Sequence, residues 1–436
     1  LFIDDTTPFL EIPTEFTPYI IRAIDGYNYC DKEISVKAAD FLLHFIERHN
    51  ANDATASSVI DAFRLLRHHY LDDEHREFHK KIAQTLIVWV RGYSLVTGPW
   101  NQQEDPILLM HNESFPVCVT LLVRFLAEIK SVEPDSELIH ECLAYFHDQL
   151  IENELDWTIR CVLAAQLNNI AYINLLWLKE HLAIIFNKAD INANIPVAIC
   201  YVTSGRFYKD FYSFFSETEF FVPVLTMSND DNATFINEAK RNLSAIAAYA
   251  FVHDLDDISV AGGLYNSVIS RIDAKMFMAG ITYFERQFAK EVPDDNISKA
   301  FLESKFDSYL IESVKCFSDF ENIQIFPLVK CVKLVHNLSL PMWDILLYLA
   351  EKCPEYSIYD EWFDFMQIQI DCMCGKIADL LIALIRNPKF SYLQEEKKDL
   401  LRLLLSKLHE NGEAEKVRTI RNLLIGKGFT EFTEIA

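Results

Sequence analysis

Eleven glycines and fourteen prolines are the only backbone punctuation in 436 residues. Between them apolar positions recur at spacings of three and four, and strand-like alternation is rare, so the chain is written for helices almost throughout. The segment Leu393 to Leu408 shows the pattern. Leu393, Leu400, Leu401, Leu404, Leu405 and Leu408 fall on one stripe, while Glu395, Glu396, Lys397, Lys398 and Lys407 lie off it. Asn411-Gly412 follows as a helix stop. Helix starts recur roughly every twenty residues, and two helices per roughly forty residues is the period of stacked hairpins that bury their apolar sides only against neighbours. The expected fold is all-α, a right-handed superhelical solenoid of about ten helical hairpins.

The rhythm falters between Ile191 and Asp231, where Pro196, Gly205, Pro223 and the polar run Ser228 to Asn232 interrupt it. This divides the chain into an N-terminal half, 1–190, an irregular hinge unit, 191–231, and a C-terminal half, 232–436. Tyr201 to Phe221 holds nine aromatics, more than one helix face hides. They form either a helix buried on several sides or an exposed docking patch, in which Phe215 is the candidate anchor. Gly92 to Pro106 reads as a surface loop with Trp100 at its tip, placed to anchor a partner or to fold back.

The 64 acidic residues outnumber the 40 Lys and Arg, giving a net charge of −24. Such a surface repels phosphate backbones and excludes nucleic acid as a general partner, whereas an acidic groove attracts a basic peptide or domain. The ten cysteines are scattered through apolar runs such as Arg160-Cys161-Val162-Leu163. That is the usage of reduced core thiols and implies a cytoplasmic or nuclear location. On this reading the Asn-x-Ser/Thr sites at Asn112, Asn232, Asn242, Asn296 and Asn337 are chance matches. No apolar run reaches about 18 residues without a charge, so no transmembrane span is expected.

The densest group of potential metal ligands runs from His68 to His79. His75 and His79, four apart, would set two imidazoles on one side of a helix, with a third ligand from His68 or Asp72. Asp72 or Asp73 is better placed as an N-cap, which interrupts the continuous helix that arrangement needs. An all-α metal-dependent enzyme using His75 and His79 is therefore the alternative, and the main expectation is a chain without metal, cofactor or catalytic residues. Cys372-Met373-Cys374 has no second pair to complete four ligands and reads as packing. Gly426-Lys427-Gly428 reads as a helix terminator, Gly262-Gly263 as a place of close helix approach, and Asp254, Asp256 and Asp257 as caps.

Three segments, Gln166-Leu-Asn-Asn-Ile-Ala171, Arg241-Asn-Leu-Ser-Ala-Ile-Ala247 and Lys333-Leu-Val-His-Asn-Leu-Ser339, carry an Asn among small and apolar residues. Each resembles the inner helix of armadillo repeats, and with the period above the chain is similar to the armadillo and HEAT helical-repeat proteins. The resemblance implies a protein-binding scaffold or adaptor. Such a scaffold holds a peptide-like or helical segment of another protein, here a basic one, along an acidic concave surface. It also implies Asn169 and Asn337 as contact residues, beside the aromatic anchors Trp100 and Phe215.

Overall fold

The computed structural model describes residues 76–433, apart from 94–99, 153–156, 187–190, 205, 206, 208, 218, 219, 228–233, 258–262, 292, 294–296, 315–325, 336, 337 and 353–358. Among the described residues the secondary structure is all-helical, with eighteen α-helices and no strand. No single helix among them is long and apolar enough to cross a membrane. The chain divides into two compact units, one of Leu1–Tyr208 with Met227–Ile236, the other of Lys209–Thr226 with Asn237–Ala436. The interval 191–231 is shared between them.

The first unit contains α1 (Arg76–Arg91), α2 (Pro106–Asn112), α3 (Ser114–Val132), α4 (Glu137–Glu152), α5 (Trp157–Ala165), α6 (Leu167–Ile185) and α7 (Ile191–Thr203). Most of these helices pack on the helix two places along: α1 on α3, α3 on α5, α5 on α7, and α4 on α6. Ile82, Ala83, Leu86, Ile87 and Val90 give α1 one buried face at helical spacing. Central α3, which also meets α2 and α6, is buried nearly all round from Phe115 to Ile129. Asp105 opens α2, its Oδ1 accepting from the Ile107 and Leu108 amides at 2.8 and 3.2 Å, with Pro106 in the first helical position.

Trp157 to Ala164 of α5 are all buried, Arg160 among them at 2% exposure. Its Nε donates to the Ile185 carbonyl at the end of α6 (3.0 Å), and its Nη2 to Asn194 Oδ1 on α7 (2.6 Å). Helix α6 breaks at Asn174 (φ −156°, ψ 96°), whose Oδ1 accepts from the Trp177 amide at 3.0 Å and restarts the helix as an internal N-cap. The sequence reading left α7 irregular because of Pro196, and the structure corrects it. A proline inside a helix costs about 3 kcal/mol, but each large apolar side chain buried returns about 1.5–3 kcal/mol. Ile195 and Val197 to Val202 are all buried, so packing decides.

The second unit holds α8 (Tyr212–Glu217), α9 (Val222–Thr226), most of α10 (Thr234–Val252), α11 (Leu264–Ile269), α12 (Ala274–Phe288), α13 (Lys299–Val314), α14 (Phe326–Leu334), α15 (Leu340–Lys352), α16 (Tyr359–Arg386), α17 (Glu395–Glu410) and α18 (Ala414–Gly426). The same step recurs: α12 packs on α14, α14 on α16, α16 on α18, and α13 on α15. Tyr309 of α13 sits in an aromatic cluster, its ring centroid 5.2 Å from Phe284, 5.3 Å from Tyr265 and 5.6 Å from Phe277. Helix α16 bends at Met373 (φ −141°, ψ 43°).

Helix ends follow the sequence signals. Gly412 takes φ 89° after α17, and the Glu413 amide reaches back to the Leu408 carbonyl at 3.0 Å. Asp254 takes the same left-handed position after α10 (φ 54°), where the Leu255 amide bonds the Ala250 carbonyl at 2.9 Å. Asp256 Oδ2 accepts from the Tyr265 amide (2.6 Å) and so caps α11. Gly263 makes room for that Asp256 carboxylate rather than for a neighbouring helix, and Gly262 lies outside the described residues.

Candidate functional site

Five helices of the first unit surround a cleft of about 670 Å³. Its lining follows directly from helical spacing. Ile107, Met110 and His111 are one face of α2; Val117, Thr120, Leu121 and Arg124 are one stripe of α3; Cys200, Thr203 and Ser204 are one face at the end of α7. In each the buried apolar members belong to the core and the polar members stand at its edge.

The fourth wall is the corner between α5 and α6, which turn by 97° at Gln166. Ala165 closes α5, while Gln166, Asn168 and Asn169 form the first turn of α6, and all four line the cleft. Asn169 Nδ2 donates to Gln166 Oε1 at 2.8 Å, which fixes both amides across the corner. At the end of α7, the hydroxyl of Thr203 donates to the Ile199 carbonyl and that of Ser204 to the Tyr201 carbonyl, each at 2.6 Å. Both oxygens keep acceptor lone pairs. The cleft thus combines an apolar floor with amide and hydroxyl groups and two basic side chains, the composition of a site for a polar ligand or a peptide segment.

Of the residues expected to contact a partner, Asn169 lines this cleft, and Asn337 lies outside the described residues. Trp100 is corrected. It is only 8% exposed and its indole N–H donates to the Glu104 carbonyl at 3.1 Å, so the tip folds back on its own loop. Phe215 is corrected too. At 2% exposure it packs against Phe214, Phe220 and Phe221 with centroids 5.5, 5.9 and 5.3 Å away, because the surplus aromatics of this segment bury one another.

The histidine cluster is described only at its end. His68, Asp72 and His75 lie outside the described residues, while His79 Nδ1 stands 3.5 Å from Glu128 Oε2 with its ring against Phe125. Burial holds the Glu128 carboxyl above its usual range. A second histidine pair, unmarked in the sequence, joins α4 to α6. His181 Nδ1 donates to the Trp177 carbonyl (2.7 Å), leaving Nε2 to accept from His147 Nδ1 (2.7 Å), and the Trp177 ring stacks on His181 at 4.0 Å. Among the described residues no three His, Cys, Asp or Glu side chains converge to hold a metal.

The described cysteines are unpaired by disulfides, with Cys118, Cys142, Cys161, Cys200 and Cys331 buried and Cys372 exposed. Burial pushes the Cys142 thiol up to about 12 and that of Cys331 well above its ordinary value.

His111, Thr120, Arg124, Gln166, Thr203 and Ser204 were not singled out by the sequence. One signal was there: Asp105-Pro106 before Ile-Leu-Leu-Met is an N-cap followed by an N1 proline, and it marks α2. Comparison with protein-family models, curated proteins and solved structures returns no match.

Proposed function

We propose that this chain is a protein-binding module, a scaffold or adaptor of the helical-repeat kind, that takes a peptide-like segment of a partner protein into the cleft around Asn169. The observation that carries the reading is a cleft of about 670 Å³ lined by the side-chain amides of Gln166, Asn168 and Asn169 together with the hydroxyls of Thr203 and Ser204. Side-chain amides both donate and accept, as does the backbone of an extended peptide, so the two match group for group. A solenoid is supported by the packing of helices on the helix two places along in both units, which is the step that two-helix repeats make when they stack. Free thiols accord with a reducing compartment, the cytoplasm or nucleus.

The test is capture of partners from a cell lysate by the full chain and by Asn169→Ala, at about 0.1 M and about 0.5 M salt to grade the reach of surface charge. The expected result is a discrete stoichiometric partner whose recovery falls about tenfold with Asn169→Ala at unchanged melting temperature, the loss of roughly one well-placed hydrogen bond. Equal recovery by the two proteins removes the cleft from the reading.

A further inference from the structure

The basic side chains that line the cleft, Arg124 and His111, are both engaged within the protein already, and among the described residues lining it none is Asp or Glu. A Lys or Arg side chain entering the cleft therefore gives up hydration without gaining a counter-charge, which costs more than it returns in a partly enclosed site. A carboxylate fails for a different reason. The hydroxyl hydrogens of Thr203 and Ser204 are committed to helix carbonyls at 2.6 Å, so these two residues meet an occupant with oxygen lone pairs alone. An ionised Asp or Glu has only acceptors and sets lone pair against lone pair there, whereas the side-chain amide of Asn or Gln, almost the same in shape, brings two hydrogens. The corner between α5 and α6 supplies the complementary function. Asn169 Nδ2 donates to Gln166 Oε1 at 2.8 Å, which occupies the Gln166 oxygen and leaves its amide nitrogen to donate.

From this we infer that the cleft selects a neutral polar segment, seating an Asn or Gln side chain of the partner with its amide hydrogens on the Thr203 and Ser204 oxygens, while Gln166 serves acceptors of the same segment. The inference rests on the protein-binding reading and specifies the chemistry of its partner. The net charge of −24 then acts on the partner as a whole and at a distance, and the cleft chooses by hydrogen-bond pattern, telling amide from carboxylate.

Fluorescence polarisation with three labelled decapeptides tests this on the full chain. All share an Ala, Gly and Leu framework, are capped at both ends so that terminal charges play no part, and carry four Gln, four Glu or four Lys. The Gln peptide is expected to bind about tenfold tighter than either charged peptide, the worth of roughly one hydrogen bond. Its affinity is expected to hold between about 0.1 M and about 0.5 M salt, since no charge pair forms. Thr203→Val together with Ser204→Ala is expected to bring the Gln peptide down to the affinity of the Glu peptide, and Thr203→Ser, which keeps the hydroxyl, to leave the preference intact. Melting temperatures show whether each variant is folded, and Ser204→Ala alone, expected to narrow the preference, serves if the double variant is not. Glu or Lys binding as tight as Gln, a Gln preference that survives loss of both hydroxyls, or no binding by any peptide overturns the inference. Equal binding of all three that Asn169→Ala weakens overturns it while leaving the protein-binding reading standing. Lysate capture insensitive to Asn169→Ala removes that reading instead.

Discussion

In α12 of the second unit, Gly280 lies against two other helices. A Cβ built there would stand 2.5 Å from Tyr309 Oη, 2.9 Å from Ser244 Oγ and 3.1 Å from the Ser244 carbonyl oxygen. Alanine ordinarily gains about 1 kcal/mol over glycine inside a helix, but overpacking of a filled interior costs about 1–3 kcal/mol. Tyr309 has little room to yield, being fully buried and stacked with Phe277. Gly280→Ala is therefore expected to lower the urea midpoint, and adding Tyr309→Phe, which removes the crowding hydroxyl, to restore part of it. A midpoint that rises on Gly280→Ala would show slack in this contact. Nothing in the sequence marks the site: Met278-Ala-Gly-Ile281 is an ordinary apolar helical stretch. The paired Gly262-Gly263 drew attention instead, although the described member answers to a carboxylate. Close approach between distant helices leaves no local signature.

One buried side chain on α5 bonds both α6 and α7. Arg160 bonds the last carbonyl of α6 and the Asn194 side chain of α7 from a buried position on α5. Arg160→Met is expected to cost about 2–4 kcal/mol, because it leaves a buried carbonyl and a buried amide oxygen without their charged donor. Pairing it with Asn194→Leu should return some of that loss, since replacing both partners by apolar groups avoids an orphan. Urea denaturation of the two variants checks both statements, and a loss below about 1 kcal/mol for Arg160→Met would mean that water or a neighbour takes over its role. At this scale the sequence is half legible. Helix α3 and the stop after α17 could be read directly because spacing and capping are local. Helix α7 could not, since Pro196 speaks locally against a helix and only the burial of Val197 to Val202 overrules it. Helix α2 went unseen although Asp105-Pro106 announces it.

Over the whole molecule, the all-helical class was readable because a period of three to four residues needs no knowledge of what a helix packs against. The cleft was not, because its walls come from stretches as far apart as Ile107 and Ser204. Of the residues offered as contacts, Asn169 lines it, Trp100 and Phe215 are buried, and Asn337 lies outside the described residues. Phe215 shows why aromatics mislead in a chain this rich in them: it packs on Phe214, Phe220 and Phe221 rather than offering itself to a partner. The buried thiols report on each unit. In a urea series pulsed with iodoacetamide and mapped by mass spectrometry, Cys372 is expected to label in the native protein. Cys118, Cys142, Cys161 and Cys200 of the first unit should become reactive at one shared urea concentration. Early labelling of one of these four would show that its helix opens on its own.

The interleaving of the two units along the chain bears on how the protein is made. A ribosome releases residues strictly in order, and Met227–Ile236, which complete the first unit, follow Lys209–Thr226, which belong to the second. During synthesis the first unit therefore stays incomplete while a length of foreign chain passes by. The contacts that assign Phe235 and Ile236 to the first unit therefore form only after Lys209–Thr226 has been made, and an incomplete nascent unit is exposed to misassociation and to chaperone capture until then.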